Sequence, residues 1–455
     1  MSTITTYKNL LILSLGFFLI HSAFLPIQNI QGSLHKDPAL GFGSLTALYA
    51  SAIISCCFLP NLLMAKFKPK ILTIISMSSF PLYVLANFMP VMGTIMPAAI
   101  IFGLSTAVMW TCHSSYITTI ATNHANSLNL PKDPVVSKFF SIFYVLFQFS
   151  QILGNGVSSA VLMSANKDKI KGNVSTSNTS ISCGSKYCPS VSIVTDIETI
   201  HIDIVYKLMG ILLGLSLVGV LLVILFLDAL WEDTRNNQSL IKLCISTIKH
   251  AKNPMILLLI PITIFSGMDQ AFVFGEYTKT FVSCSLGIDV IGYSMMCFGA
   301  VACLASVAIG LIVKWTGTYL VMVIGMFSYL GLMSWFLVWN TGAYPNYTFY
   351  VGAMGCGFTT AIWMSQSNAI YGVYFPKTQE AAFSIYRLFQ NLGFTISFAY
   401  ADILCTSTKI YILMGLLIFS MVLYSIAEFN YRKNVKNTCK ENKDVVENTN
   451  LDEKF

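Results

Sequence analysis

Long runs without a charged side chain alternate with short polar segments along the whole chain. A helix needs about 20 apolar residues to cross the hydrocarbon core of a bilayer, and most of these runs have that length. The runs in the first half that predict one membrane helix each are 9–35, 38–65, 139–166 and 208–227. The run 71–131 is long enough for two helices, separated near Pro90 and Gly93. The first half is therefore predicted to contain six membrane helices.

The second half repeats this order of runs after a polar segment. Pro254 begins a seventh predicted helix, and the run 315–376 again holds two helices, separated around 340–346. The runs that complete the set are 290–313, 381–402 and 410–427. The pattern predicts an all-α polytopic membrane protein with about twelve transmembrane helices.

Short residue patterns also repeat between the halves. The residues from Gly103 in the fourth predicted helix match those from Gly357 in the tenth, and those from Phe140 in the fifth match those from Phe383 in the eleventh. Small residues match by chance in apolar helices, but the repeated order of runs favours a true repeat. Two parallel six-helix halves joined by a polar segment are the arrangement of the major facilitator fold.

Four regions follow from this pattern. An N-terminal six-helix bundle at 1–227 is expected to include a long outer loop at 165–203, and a cytoplasmic linker at 228–253 leads to a C-terminal bundle at 254–429. The tail at 430–455 mixes Lys and Glu without apolar periodicity and is predicted to be disordered. The first apolar run is too long for a cleavable signal, so it is expected to anchor the chain.

Composition agrees with a membrane protein. Of 455 residues, 55% are hydrophobic and only 10% are charged, against about 25% charged in soluble proteins. The net charge of +7 is spread thinly and forms no patch suited to nucleic acid. Soluble enzymes, disordered scaffolds and nucleic-acid-binding proteins are therefore excluded, and the lipid bilayer is the expected surrounding.

The distribution of Lys and Arg predicts the orientation. Three short loops on the predicted outer side hold Lys36, Lys279 and Lys409, whereas the inner segments and the tail hold many more basic residues. The inner set includes Lys66, Lys68, Lys70, Lys132, Lys138, Arg235, Lys242, Lys249, Lys252, Lys314, Lys377, Arg432, Lys433 and Lys436. The positive-inside rule then places both termini in the cytoplasm.

Three Asn-x-Ser/Thr triplets fall on the predicted outer side, beginning at Asn173, Asn178 and Asn346. Such triplets are acceptors for N-glycosylation when they face the outside. We therefore predict a glycoprotein, with these three residues as acceptors.

Cysteines in the outer loops suggest disulfides. Cys183 and Cys188 lie in one loop, where a local bridge is expected. Cys284 and Cys405 fall at the outer ends of the seventh and eleventh helices, and they are candidates to pair if those helices are neighbours. No Cys/His set has the spacing of zinc ligands, so no metal site is expected.

Ionisable residues inside a bilayer are costly and are functional candidates by default. Asp269 and Glu276 are seven residues apart, which places them on one face of the seventh helix, and Arg387 lies in the eleventh. Asp269 and Arg387 are expected to line a central cavity without forming a direct ion pair. Glu276, although a second candidate, is expected to mark a helix end at the interface, as are Asp228 and Asp402.

Neutral polar residues complete the candidate cavity. His21 and His113 are expected either to line it or to pack among other polar groups. The amides that accompany Arg387 in the second half are Gln366, Asn368, Gln390 and Asn391.

Signatures of catalysis are absent from the sequence. It contains no G-x-x-x-x-G-K-[ST], H-E-x-x-H or nucleophile elbow, and it lacks the T-V-G-Y-G filter of potassium channels. We therefore expect no catalytic residues and no cofactor. The inner loop after the second helix is reduced to Ala65-Lys-Phe-Lys-Pro-Lys70, and it lacks the charge-rich motif of ordinary facilitators.

Several motifs together resemble the uncoordinated-93 family, in particular its homolog A-like branch, over nearly all twelve helices. The motifs are Gln28-Asn-Ile-Gln31, Leu45-Thr-Ala-Leu-Tyr49, Phe58-Leu-Pro60, Cys183-Gly184 with Cys188, Ser266-Gly-Met-Asp-Gln270, Glu276-Tyr-Thr-Lys279, Cys284-Ser-Leu-Gly-Ile288, Gln366-Ser-Asn368, Tyr371-Gly372, Glu380-Ala-Ala-Phe383 and Tyr386-Arg387-Leu388. Pro26 departs from the family pattern.

The resemblance implies a non-catalytic membrane protein that regulates a potassium channel or ion homeostasis, with the channel as its membrane-protein partner. One alternative is a secondary transporter, in which Asp269 or Glu276 takes up a proton or cation and Arg387 supports an anionic group. A second alternative is a trafficking partner of membrane receptors. We expect the plasma membrane as the location, with internal membranes as the alternative.

Overall fold

We describe a computed structural model of the chain. The residues that it describes are 3–34, 38–64, 66–130, 132–169, 183–189, 202–229, 253–341, 345–375 and 379–452. Within these residues the chain is almost entirely helical and contains no β-strand.

Twelve long helical segments follow one another within the described residues. In the first half they are α1 (Thr3–Leu34), α2 (Pro38–Met64), α3 (Pro69–Ala86), α4 (Met92–Ser127), α5 (Lys132–Lys169) and α6 (Ile202–Phe226). In the second half they are α7 (Pro254–Leu286), α8 (Ile291–Thr316), α9 (Thr318–Val338), α10 (Tyr347–Tyr374), α11 (Gln379–Ala399) and α12 (Thr406–Asp452). The order of twelve helices confirms the prediction from the charge-free runs.

The helix boundaries have local causes in the sequence. α7 begins at Pro254, as predicted, because Asn253 caps it by accepting a hydrogen bond from the Met255 amide at 3.0 Å. Gly317 separates α8 from α9 in a conformation with φ of 77°, which favours glycine because it has no Cβ.

Length and composition suit most of these helices to a bilayer. Among the described residues, nine helices are long and apolar enough to cross a membrane on those criteria alone. α2 adds a shorter apolar stretch, Leu40–Cys56. α10 and α11 are not among the nine, and they carry several of the polar residues discussed below.

The two halves repeat each other in three dimensions. In the first half α2 packs on α4, and a Cβ on Gly103 would lie 2.0 Å from the backbone oxygen of Leu48. In the second half α8 packs on α10, and a Cβ on Gly357 would lie 2.4 Å from the backbone oxygen of Phe298. The glycines that match in sequence therefore serve the same close helix crossing.

The halves meet mainly through two pairs of helices, α2 against α11 and α5 against α8, and α1 also packs against α7. One large hydrophobic core runs through both halves, and a small separate cluster of Leu72, Val108 and Cys112 lies between α3 and α4. Since successive helices alternate in direction, we call the end that holds the start of α1 the terminal end. The other end, with the α5–α6, α7–α8 and α11–α12 connections, is the opposite end.

The predictions for the linker and for the tail compare differently with the structure. Most of the expected linker, 230–252, lies outside the described residues. The expected tail differs from the structure, because α12 continues to Asp452 instead of ending near residue 430. Extending an existing helix requires no new nucleus, which explains why a segment without apolar periodicity remains helical there.

Candidate functional site

Two buried, oppositely charged side chains of the second half meet near the opposite end. Glu276 of α7 and Lys409 of α12 form an ion pair of 2.5 Å between Oε1 and Nζ. Lys409 also donates to the backbone oxygen of Ala401, and both charged side chains are almost completely buried. The expectations that Glu276 marks a helix end and that Lys409 lies in an outer loop are therefore wrong. Each side chain turns inward because the other neutralises it.

A second ion pair lies beside the first. Lys279 Nζ contacts Asp402 Oδ1 at 2.8 Å, and both side chains remain partly accessible. Asp402 follows the end of α11, as predicted. The Lys279 ammonium also lies 4.7 Å from the ring centroid of Phe42 in α2. Lys279 thus joins an ion pair of the second half to an aromatic ring of the first.

The wide turns of α7 explain why Asp269 and Glu276 do not share a face. α7 is α-helical over Pro254–Ala271 and π-helical over Phe272–Ser283. A π-helix has i→i+5 hydrogen bonds, so it changes the angular register beyond Ala271. Asp269 contacts α10, whereas Glu276 contacts α12. The one-face prediction is therefore wrong.

Asp269 is buried within the second half. Its Oδ2 accepts a hydrogen bond of 2.9 Å from Thr360 Oγ1, and the buried Tyr329 of α9 interacts with it electrostatically. Its Oδ1 is buried and has no hydrogen-bond partner among the described residues. No described ion pair joins Asp269 to Arg387.

Arg387 instead lies where the two halves meet. Its guanidinium donates to Gln390 Oε1 at 3.1 Å and lies over the ring of Trp110 in α4, 5.1 Å from the centroid. It also lies 5.7 Å from the Tyr386 centroid. These contacts share no residue with those of Asp269. The structure therefore gives the two candidates separate surroundings.

Both candidate histidines pack in an aromatic cluster of the first half. His21 Nδ1 interacts with the Phe17 backbone oxygen at 2.9 Å, and its ring contacts Trp110 and Phe147. His113 is fully buried, and its ring centroid lies 3.9 Å from that of Phe143. Neither ring nitrogen of His113 has a hydrogen-bond partner among the described residues.

The four candidate amides have different partners. Asn391 donates to Cys56 Sγ of α2 at 3.6 Å, across the halves. Asn368 bonds the backbone of its own helix, and Gln366 is buried with its Nε2 on Ser365. Of the predicted amides, Gln390 alone is recorded in a hydrogen bond with Arg387 among the described contacts.

Two disulfides at the opposite end pair the candidate cysteines differently from the expectation. Cys183 bonds Cys284, and Cys188 bonds Cys405. The four cysteines are those predicted, but both expected partners, Cys183 with Cys188 and Cys284 with Cys405, are wrong. The reason is that residues 183–188 lie across the second half, so one end of the segment meets the last turn of α7 and the other meets the connection before α12.

We call residues 183–188 the docked segment. Its Ser185 hydroxyl donates to the Leu337 backbone oxygen at 3.1 Å, and its Tyr187 backbone oxygen accepts from the Thr406 amide at 3.0 Å. Gly184 has φ of 76°, and a Cβ there would lie 2.9 Å from Thr341. An outer loop of the first half is therefore fixed to α7, α9 and α12 of the second.

The predicted glycosylation sites have partial structural descriptions. Asn346 is exposed just before α10, at the same end as the disulfides. Asn173 and Asn178 lie outside the described residues. The described residues contain no group of three or more His, Cys, Asp or Glu that could hold a metal ion.

Sequence reasoning missed the partner of Lys409, which it treated as a loop residue. It also missed the partners of Cys183 and Cys188, which it treated as a local pair. One signal was available for Lys409, since it directly precedes an apolar run while Glu276 interrupts another. No signal along the chain indicated that Trp110 faces Arg387.

Related sequences place this architecture in a family. The family model described as "Ion channel regulatory protein UNC-93" matches residues 34–425. Protein unc-93 homolog A of Xenopus laevis is 33% identical over 96% of this chain and 97% of its own length. A Caenorhabditis elegans relative, whose name proposes potassium channel regulation by unc-93, is 31% identical over 93% of this chain and 60% of its own length.

Solved transporters share the fold at low sequence identity. A variant of the nucleoside transporter NupG superposes with a TM-score of 0.66 at 14% identity, covering 93% of this chain and 99% of NupG. The D-xylose-proton symporter superposes with a TM-score of 0.63 at 15% identity, covering 92% and 97%. These structures confirm the major facilitator fold, and the sequence matches show that this multi-pass membrane protein belongs to the UNC-93 family of ion channel regulatory proteins.

Proposed function

We propose that this protein is a non-catalytic regulatory subunit of a potassium channel in the membrane. The family description and the name of the Caenorhabditis elegans relative support this proposal. The structural observation that carries it is the ion pair between Glu276 and Lys409. A coupling carboxylate has to take up and release a proton or cation, whereas Glu276 is held in an ion pair with Lys409 of the same bundle.

The surroundings of this ion pair favour a fixed scaffold. Glu276 and Lys409 join α7 to α12, while Lys279 and Asp402 join α7 to the connection before α12. Two disulfides attach the docked segment to the end of α7 and to the connection before α12. A regulatory subunit benefits from such a fixed surface, since ordering a surface on binding costs free energy.

The channel hypothesis is tested by recording whole-cell K⁺ current in cells with and without the full chain. We expect a changed K⁺ conductance and recovery of a channel with the chain after mild solubilisation. The matched control is a chain shortened after Lys433, which keeps the membrane part of α12 and removes the remaining tail. An unchanged current and no associated channel, at equal chain abundance, would contradict the proposal.

The same cells separate regulation from trafficking. If the chain changes the conductance of channels already at the surface, surface biotinylation shows an unchanged channel quantity. If it acts as a trafficking partner, the current changes in proportion to the biotinylated channel. The second result would replace the regulatory proposal with the trafficking alternative.

A second candidate function, secondary transport, is supported by Asp269. This carboxylate is buried, has one unpartnered oxygen among the described residues and lies in a fold shared with transporters. We expect a transporter in liposomes to move protons with a solute, and Asp269→Asn to reduce proton uptake reported by an enclosed pH dye. Equal proton movement in empty and loaded liposomes would remove this candidate.

We further propose that the opposite end faces the outside, with both termini in the cytoplasm. The two disulfides support this orientation because disulfides persist in oxidising compartments. Removal of N-linked glycans should increase the gel mobility of the chain. Replacing Asn173, Asn178 and Asn346 by Gln should abolish the change, while surface biotinylation distinguishes the plasma membrane from internal membranes.

A further inference from the structure

Arg387 is a cation within a membrane helix whose described partners are neutral. It contacts the Gln390 amide oxygen and the rings of Trp110 and Tyr386. No described carboxylate lies within ion-pairing distance of it. A guanidinium at this depth is costly without an opposite charge, so its surroundings lack the group that would stabilise it most.

A second, independent feature lies next to it in the first half. His113 follows Trp110 by three positions, which places the two side chains on the same side of α4. His113 is fully buried, its ring faces the Trp110 backbone without a hydrogen bond of good geometry among the described residues, and it interacts electrostatically with Arg387. Buried polar groups are normally hydrogen-bonded, and the Trp110 backbone can serve only one ring nitrogen, so the other one lacks a partner.

Arg387 and a neighbouring side chain keep part of their surface accessible where the two halves meet. Arg387 is only half-buried, and it lies eight positions after Gln379, the first residue of α11, or about 12 Å along the helix at 1.5 Å per residue. Tyr144 of α5, in the other half, interacts electrostatically with Tyr386 and is 41% exposed. Part of the guanidinium surface therefore stays accessible where the two halves meet.

We propose that Arg387, Gln390 and His113 form a binding site for a small carboxylate whose apolar part packs on the aromatic side chains of α4 and α5. The planar guanidinium matches a carboxylate with two parallel hydrogen bonds, and the Gln390 amide and an imidazole N–H supply further donors. Trp110, Phe143 and Phe147 provide an aromatic wall beside these donors.

The inference goes beyond the proposed regulatory function and does not rest on it. A regulatory subunit and a transporter can both contain such a site, and binding is measured on the purified chain without a channel. Failure of the binding experiment therefore leaves the channel experiment unaffected, and the reverse also holds.

The test measures equilibrium binding of radiolabelled benzoate to the full chain in lipid nanodiscs, with empty nanodiscs as the blank. We expect saturable binding that unlabelled benzoate displaces at lower concentration than acetate or inorganic phosphate. Acetate lacks the apolar part, and phosphate lacks both the apolar part and the planar carboxylate. Displacement by phosphate at lower concentration than benzoate would overturn the carboxylate assignment.

Variants locate the site. Arg387→Gln should weaken benzoate binding at least ten-fold, and Arg387→Lys should restore only part of it, because an ammonium keeps the charge but loses the planar fork. The matched control is Arg432→Gln, which removes an exposed guanidinium at the terminal end. Thermal unfolding verifies that each variant is folded. Equal binding by the two Gln variants, or no saturable binding by the folded wild-type chain, would overturn the proposal.

Discussion

Glu276 and Lys409 are 133 positions apart in the chain and form an ion pair of 2.5 Å with both side chains almost fully buried. Neither side chain can remain buried as an ion without the other, since removing one partner leaves an uncompensated charge. The pair therefore fixes the position of α12 against the π-helical part of α7.

The first prediction concerns this pair. Lys409→Met should destabilise the protein by about 3–5 kcal/mol, because Glu276 is left buried without a cation. Replacing both residues, Glu276→Leu with Lys409→Met, should recover most of the loss. The measurement is thermal unfolding of the purified chain in detergent.

Lys433→Met is the matched control, since it removes an exposed Lys from the same helix. It should leave the unfolding temperature almost unchanged. The buried-pair account would be refuted if Lys433→Met and Lys409→Met had equal effects. It would also be refuted if the stability losses of Glu276→Leu and Lys409→Met, measured singly, simply added in the double variant.

The second prediction concerns the docked segment. Peptide mapping without reduction should recover Cys183 linked to Cys284 and Cys188 linked to Cys405, because one end of the segment meets the last turn of α7 and the other meets the connection before α12. Cys188→Ser should leave Cys405 free to react with a thiol reagent while the other bond persists. Recovery of one peptide closed between Cys183 and Cys188 would contradict this arrangement.

The third prediction concerns the repeated helix crossings. Gly357→Ala should destabilise the protein by about 1–3 kcal/mol, the usual cost of overpacking, because the new methyl would lie 2.4 Å from the Phe298 backbone oxygen. Gly103→Ala should have a similar effect against Leu48. Unfolding temperatures in detergent measure both.

Gly310→Ala is the control for these glycines, since a Cβ there meets nothing within 4 Å. Removing a helical glycine at an open position should be neutral or slightly stabilising. A loss at Gly310 equal to that at Gly357 would show that helix crossing is not the cause.

The fourth prediction concerns pH at the terminal end. The Lys8 ammonium donates to Asp228 Oδ2 at 2.7 Å, and this hydrogen bond lowers the pKa of Asp228 below its ordinary value, against a smaller opposing effect of burial. The resulting stabilisation is present above the ordinary carboxyl pKa of about 3.9 and is lost as pH falls through the lowered pKa.

Asp228→Asn should therefore reduce stability near pH 7 by at most about 1 kcal/mol, because both side chains are well exposed. The difference from the wild-type chain should disappear in acid. Unfolding temperatures between pH 3 and pH 7 measure it, with Lys8→Gln as the reciprocal variant. A difference that grew as the pH fell would have the wrong sign.

Sequence reasoning predicted the features that depend on the position of a residue within one run. The helix order, the start of α7 at Pro254 and the equivalence of Gly103 with Gly357 all follow from local periodicity or from comparison of the two halves. The same reasoning failed for Glu276 and Lys409, because a charge near the end of an apolar run looks like a residue at the membrane surface until its partner is known.

The sequence by itself determined that the chain lies in a lipid bilayer, the order of the described helices and the four cysteines that form disulfides, since hydropathy and residue type act locally. Only the tertiary structure decided which of these groups meet. It paired Glu276 with Lys409, crossed the cysteine partners and placed Trp110 over Arg387. These contacts join distant segments, and their energies depend on distance and burial, which packing of the two halves alone defines.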